Sequence, residues 1–163
     1  MYVSRRLYEA DEAFARAYRL DGRYWPARIG RVLVMLELVT QEKEMDQGDA
    51  ALSEMQLLRR ESGPFANYFP GLLVLCLART GNTEEARRQL EIFTMPPAMD
   101  PVQKALAYLG LGETDQAVLS LHAAFAHSDP LLLWLHLWPV FDPLRGHKRF
   151  QELIRRMNLP ASK

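Results

Sequence analysis

The chain has 163 residues, of which 48% are hydrophobic, and its 20 Lys and Arg residues balance its 20 Asp and Glu residues. This composition excludes a disordered chain, and the zero net charge excludes nucleic-acid or membrane binding driven by overall charge. The single cysteine, Cys76, excludes an internal disulfide and a cysteine-based zinc site.

The residue types favour helices over strands. The chain has 26 Leu and 18 Ala against 8 Val and 3 Ile, and Leu and Ala lose little conformational freedom in a helix. We therefore predict an all-α fold. The longest apolar runs, 72–78 and 131–140, are well below the roughly 20 residues that cross a bilayer. We expect a cytoplasmic protein without membrane insertion.

Three helices are predicted in the N-terminal part. Apolar residues recur every three or four positions from Leu7 to Leu20, and Asp21 and the following glycine end that helix. Its apolar side is expected to need an additional helix or a partner. A second periodic stretch opens near Pro26, and a third helix is predicted to begin at Asp49 and end before Gly63.

Two segments, 77–86 and 108–117, match each other and start 31 residues apart. Each predicts a helix that ends at a left-handed glycine, followed by a threonine that caps a second helix. The glycines are Gly81 and Gly112, and the threonines are Thr83 and Thr114. A repeated helical hairpin is the simplest interpretation. Its register places Ala117 at a close helix crossing and Ser120 on the open side.

Three Asp-Pro pairs predict helix starts, at Asp100, Asp129 and Asp142. An Asp side chain can accept hydrogen bonds from free backbone N–H groups, and a proline at the first helical position needs no N–H partner. Because all three share this context, we interpret them as structural caps rather than metal ligands or acid–base groups.

The repeat at 100–127, which contains the second of these two segments, resembles the tetratricopeptide repeat family. Its first helix carries Ala105 and Tyr108, and its second carries Ala117, Leu121 and Ala124, at the family's spacing of small, aromatic and large residues. The preceding copy is degenerate, although it keeps Leu73, Leu77, Ala86 and Leu90.

The resemblance implies an α-α superhelix of tetratricopeptide-like hairpins with a C-terminal capping helix. Within one domain spanning 1–163, it predicts five parts. These are a partial first repeat at 8–20, a divergent hairpin at 24–62, a repeat at 64–95, the best-matching repeat at 100–127, and a closing helix and cap at 130–158.

The C-terminal run 138–160 resembles the closing segment of bacterial tetratricopeptide chains attached to winged-helix regulators, adenylate cyclases or Ser/Thr kinases. The shared feature is a Phe-Asp-Pro-Leu-Arg run from Phe141, followed by a final helix, whereas Gly146 and the next histidine depart from the family's commoner pair. The resemblance implies a module of a bacterial regulatory or signalling protein. In the final helix, Phe150 and Leu153 begin an apolar stripe that predicts a cap over the last hairpin.

No residue pattern predicts catalysis, a cofactor or a metal. The four histidines never occur at i, i+4 with a Glu between them, and no glycine-rich phosphate loop is present. Cys76 lies in an apolar run, where a thiol behaves as a small hydrophobe. We interpret the chain as a non-enzymatic protein without cofactor, metal or direct nucleic-acid binding, with an enzyme built on helical hairpins as the minority hypothesis.

The resemblance implies binding on a concave face lined by the first helix of each hairpin. The register places seven residues there: Tyr68, Leu75, Arg79, Val102, Leu106, Leu133 and His136. Arg79 can bind a carboxylate through two hydrogen bonds, and the apolar residues exclude water. This mixture predicts a protein or peptide partner with an apolar anchor and a carboxylate.

Two further hypotheses stay open from sequence. The array can instead be the small-molecule-sensing domain of a transcriptional regulator or cyclase. The run Leu131–Trp138 is apolar on almost every face of a predicted helix, so it is a second candidate surface for a partner or for self-association.

Overall fold

The computed structural model describes residues 6–22, 24–41, 45–61, 69–94 and 99–159. Every regular element in these ranges is helical, which confirms the all-α prediction. The α-helices are α1 (Leu7–Leu20), α2 (Trp25–Gln41), α3 (Met45–Glu61), α4 (Pro70–Arg79), α5 (Thr83–Thr94), α6 (Pro101–Gly110), α7 (Thr114–Ala126) and α8 (Lys148–Arg156). Two 3₁₀ helices, Pro130–Trp134 and Pro139–Leu144, lie between α7 and α8.

Helices that are consecutive in the chain pack against each other as α1 on α2, α2 on α3, α4 on α5, and α6 on α7. Helices α4 and α6 also pack side by side, and α3 contacts α4. The result is a repeat-like arrangement of hairpins around one hydrophobic core. In the described ranges, no helix combines the length and the apolar character that a membrane span requires.

The 31-residue offset is visible in the backbone hydrogen bonds at the ends of α4 and α6. The N–H of Asn82 donates to the Leu77 carbonyl at 2.8 Å, and the N–H of Glu113 donates to the Tyr108 carbonyl at 2.9 Å. The glycines before these residues have the predicted left-handed conformation, with φ of +84° at Gly81 and +75° at Gly112. Both helices therefore end in the same glycine turn.

The two threonines were expected to cap α5 and α7, but in both helices the capping residue lies one position earlier. Thr83 and Thr114 are the first residues of their helices. The carbonyl oxygen one residue earlier, in Asn82 or Glu113, accepts the first helical N–H, at 2.9 Å and 3.0 Å respectively. Because the residue that accepts this bond is the cap, the glycine turn places the cap directly before each threonine.

Two of the three Asp-Pro predictions are confirmed. Asp100 Oδ1 accepts a hydrogen bond from the N–H of Val102 at 2.9 Å, and Asp129 Oδ1 accepts one from the N–H of Leu131 at 2.9 Å. The third prediction is wrong, because Asp142 lies inside the second 3₁₀ helix and accepts from Arg145 Nε at 2.6 Å.

The long apolar helix expected over 131–138 is replaced by the first 3₁₀ helix and a turn. Asp129 and Pro130 start this element, and Pro139, which has no N–H to continue a helical hydrogen-bond pattern, starts the next one. Within this segment Leu132 and Leu135 are buried in the core, while Leu131 and Leu133 are exposed to solvent.

Helix α8 closes the end of the core, as the apolar stripe predicted. Phe150 and Leu153 are buried, and Ile154 and Met157 pack against the core. His147, directly before α8, lies with Nε2 2.9 Å from the carboxylate of Asp115 on α7.

The apolar side of α1 is covered within the chain, which corrects the expectation that it needs a further partner. Leu7 and Ala10 are buried, and the ring of Phe14 lies over Gly30 of α2. A Cβ on that glycine would lie 2.5 Å from the ring, so the close packing depends on the absence of a side chain. Ser120, expected on the open side, is also buried.

Helix α3 begins at Met45, four residues before the predicted start at Asp49. The sequence places Gly48 in a loop, whereas the structure places it inside the helix. A Cβ on Gly48 would lie 3.0 Å from the Thr80 Cγ2 atom. The glycine therefore permits close packing between α3 and the end of α4.

Candidate interaction surface

The concave-face prediction fails for three residues because they are covered. Leu75, Val102 and Leu106 are 0%, 1% and 3% exposed and belong to the core rather than to an open groove. The cause is the close contact of α4 with α6: a Cβ on Gly71 would lie 1.8 Å from the carbonyl oxygen of Gln103. The predicted groove residue Tyr68 lies outside the described residues.

Arg79 binds a carboxylate, as its side chain suggested, but that carboxylate belongs to the same chain. Its Nη1 atom lies 2.9 Å from Oε1 of Glu37 on α2. The second oxygen, Oε2, accepts a hydrogen bond from Gln41 Nε2 at 3.0 Å. Both acceptor atoms of Glu37 are therefore engaged, and Arg79 serves as a link between α2 and α4.

Sequence reasoning missed Glu37, although a signal was present. Glu37 is the one charged residue in the otherwise apolar run 32–39, and a carboxylate surrounded by apolar residues needs a cation when the helix is buried. The side chain is 4% exposed, so the pair with Arg79 satisfies this requirement.

The last two predicted residues lie near the C-terminal end of the fold. Leu133 is 60% exposed. His136 is partly buried, and its carbonyl oxygen accepts a hydrogen bond from Arg145 Nη2 at 3.3 Å. The structure thus does not bring the six predicted residues that it describes together as one open surface.

A second buried charge cluster ties the N-terminal helices together. Arg28 of α2 forms ion pairs with Glu54, at 2.5 Å, and with Glu61, both on α3. Its guanidinium carbon lies 5.2 Å from the centre of the Tyr18 ring on α1. Burial alone would lower the pKa of Arg28, but the hydrogen bonds and charges of the two glutamates outweigh burial and raise it. This arginine therefore stays charged and links three helices.

The single cysteine of the chain lies in the core. Cys76 is fully buried, and burial raises the pKa of its thiol to about 12, despite the opposing charge of Arg79. The nucleophilic thiolate is therefore scarce at neutral pH. Across the described ranges, no group of three or more His, Cys, Asp or Glu side chains is arranged to hold a metal ion.

Large apolar side chains are instead exposed where α1 turns into α2. Leu20 is 90% exposed, Tyr24 is 50% exposed and Trp25 is 51% exposed. We call these three residues the corner surface. The Trp25 ring packs against Phe69 at the start of α4, with ring centroids 5.3 Å apart. The corner surface was missed because the sequence around it indicated only a helix end.

Backbone hydrogen bonds define the shape of this turn. The N–H of Asp21 donates to the Ala17 carbonyl at 3.1 Å, the N–H of Tyr24 donates to the Asp21 carbonyl at 2.9 Å, and the N–H of Ala27 donates to the Tyr24 carbonyl at 3.1 Å. These bonds connect the last turn of α1 to the first turn of α2. Leu20 and Trp25 of the corner surface are therefore the end residues of two hydrogen-bonded helices.

The end of α1 adds positive charge beside the corner surface. Arg16 and Arg19 are both exposed on the last turns of the helix. Arg16 lies four residues before Leu20, so these two residues share one side of the helix. The interval 16–25 contains three arginines and one aspartate in sequence.

Comparisons with known proteins identify no relative: no family model, no curated protein and no solved structure matches the chain.

Proposed function

We propose that this chain is a non-catalytic scaffold that binds a protein or peptide partner. The observation that carries the proposal is the corner surface, where one leucine and two aromatic residues are at least half exposed. Large exposed apolar side chains mark interaction sites, and Trp and Tyr are frequent among the residues that dominate binding energy.

The resemblance of residues 100–127 to tetratricopeptide repeats supports the same class of function. On that resemblance, we propose a module of a bacterial regulatory or signalling protein located in the cytoplasm. The free thiol of Cys76 agrees with a reducing compartment. Self-association through 131–138 stays a prediction, for which Leu131 and Leu133 are the exposed side chains.

A selection experiment tests the proposed function. A random peptide library is displayed and selected on the purified chain, and the enriched peptides are synthesised and added during thermal unfolding. A peptide that binds the folded state raises Tm with increasing concentration. Sedimentation over a range of protein concentrations tests self-association in parallel. If no peptide raises Tm and the chain stays monomeric at every concentration, the scaffold proposal is wrong.

A further inference from the structure

We propose that the corner surface, Leu20, Tyr24 and Trp25, is the docking site for an acidic peptide segment with a large apolar anchor residue. This inference rests on the proposed function and deepens it by naming the site and the chemistry of the partner. The site lies at the α1–α2 turn, away from the first-helix faces on which sequence reasoning placed binding.

The apolar part of the partner follows from the exposure of the corner surface. Leu20 extends almost entirely into solvent, and about half of Trp25 remains exposed beside Phe69. Covering this area removes apolar surface from water, which is favourable in proportion to the area covered. An apolar anchor residue of the partner is expected to bind against the exposed part of Trp25, next to Tyr24, because contact there removes apolar surface of both molecules from water.

The acidic part follows from the charges beside the site. Arg16 and Arg19 are exposed, and neither forms an ion pair with a residue in the described part of the chain. Arg87 has such a partner in Glu113, whereas Arg60, Arg149 and Arg155 are exposed without one in the described residues, so Arg16 and Arg19 are distinguished by their place beside the corner surface. Two unpaired guanidinium groups next to an apolar surface favour carboxylates that flank the anchor.

Contacts that already exist around the site reduce the entropic cost of binding. Leu20 and Trp25 belong to helices α1 and α2, and the Trp25 ring packs against Phe69 before a partner arrives. A preorganised site loses less conformational freedom when a peptide binds. A short linear segment is therefore a sufficient partner, and a second folded domain is not required.

The test uses three labelled peptides with the same Trp-Leu centre, flanked by glutamates, by glutamines or by lysines. Affinity for the full chain is measured by fluorescence anisotropy at low and high NaCl. We expect the glutamate peptide to bind at least about tenfold more tightly than the lysine peptide. The difference should shrink as salt rises, because salt screens exposed charges.

Two variants locate the site without disturbing the core. Leu20→Ser changes an almost fully exposed side chain, and Arg19→Gln removes one unpaired charge, so both should fold as the parent does. Each is expected to weaken the glutamate peptide, by about tenfold for Leu20→Ser and by a few-fold for Arg19→Gln. Ile92→Ser is the matched control, since that side chain is also well exposed but lies on α5, and it should have no effect.

The outcomes separate this inference from the proposed function. Equal affinity for all three peptides, or binding that is lost in Ile92→Ser but kept in Leu20→Ser, overturns the corner site. If the three peptides do not bind while library-selected peptides still raise Tm, the corner proposal is wrong and the scaffold proposal stands. If no selected peptide binds either, both are wrong.

Discussion

Glu37 of α2 and Arg79 of α4 form an ion pair across 42 positions of sequence, with Oε1 and Nη1 2.9 Å apart and both side chains largely buried. The arginine that sequence reasoning assigned to a partner's carboxylate is thus neutralised inside the fold. Removing one member of such a pair leaves a buried charge without a partner. The resulting loss of folding free energy is larger than the net free energy that the intact pair contributes.

Glu37→Ala is therefore expected to lower the free energy of unfolding by about 3–5 kcal/mol. Urea titration measures the change, and the double variant with Arg79→Ala should be less destabilised than the sum of the two single variants. Arg88→Ala is the surface control: it breaks the exposed pair with Glu85 and should cost less than about 1 kcal/mol. Equal costs for Glu37→Ala and Arg88→Ala would show that the Glu37 carboxylate is not buried in solution.

Gly71→Ala tests the close contact between α4 and α6. The new Cβ would lie 1.8 Å from the backbone oxygen of Gln103, so the two helices must separate. The higher helix propensity of alanine stabilises the folded state by about 1 kcal/mol and opposes this effect. Overpacking against backbone typically costs 1–3 kcal/mol or more, so we expect net destabilisation of about 2 kcal/mol or more.

Gly146→Ala is the matched control, because nothing lies within 4 Å of its added Cβ. It should change stability by less than about 0.5 kcal/mol. Thermal and urea unfolding of both variants give the comparison. A Gly71→Ala protein as stable as the parent would mean that α4 and α6 do not approach this closely.

The sequence was most informative where the signals are local. The stripe in 7–20 with its following Asp-Gly located α1 at its observed bounds, and the glycines at 81 and 112 identified the repeated turn. Both features depend on hydrogen bonds between residues at most five positions apart. The expectation of a regular helix over 131–138 failed because an apolar pattern alone does not distinguish an α-helix from a short 3₁₀ helix followed by a turn.

The open surface could not be predicted because it depends on contacts between distant helices. Whether Leu75 or Leu106 faces water is decided by how closely α4 approaches α6, and that distance is set by a glycine, Gly71, facing a backbone oxygen 32 positions away in Gln103. The same holds for Trp25, whose partial burial comes from Phe69. The helical repeat could be inferred from spacing, but the side chains that it leaves exposed could not.

Asp129 predicts a pH-dependent contribution to stability. Burial raises the pKa of its carboxyl, and Asp100 raises it further by its charge and a side-chain hydrogen bond, whereas the N–H of Leu131 acts in the opposite direction. Because the pKa is higher in the folded state than in the unfolded state, the folded state favours the protonated carboxyl. Asp129 therefore contributes stability at pH values below its ordinary pKa. This contribution is lost as pH rises through the folded-state pKa.

Asp129→Asn keeps a capping oxygen but removes the charge. Its stability relative to the parent should therefore increase between roughly pH 3 and pH 7, as measured by urea titration at each pH. Asp49→Asn, on the exposed face of α3, is the control and should show a smaller change. A relative stability of Asp129→Asn that falls with rising pH would contradict the assigned direction.

Cys76 should be unreactive towards thiol reagents in the native protein. Its thiol is fully buried, and its pKa of about 12 leaves little thiolate at neutral pH, so reaction requires opening of the core. The rate of colour development with a disulfide reagent should be slow without urea and fast above the unfolding transition. Ser53→Cys places a thiol on the exposed side of α3 and should react at once in the native state, whereas equally fast reaction at Cys76 would contradict the burial.

The central claim is that a partner binds at the corner surface and not along the faces of α4 and α6. Amide hydrogen exchange with and without a library-selected peptide measures this directly, because bound regions exchange more slowly. We expect added protection within 17–27, where the hydrogen bonds beside the turn and Trp25 lie. Added protection confined to 70–79 and 101–110, with 17–27 unchanged, would contradict it and return the binding site to the predicted concave face.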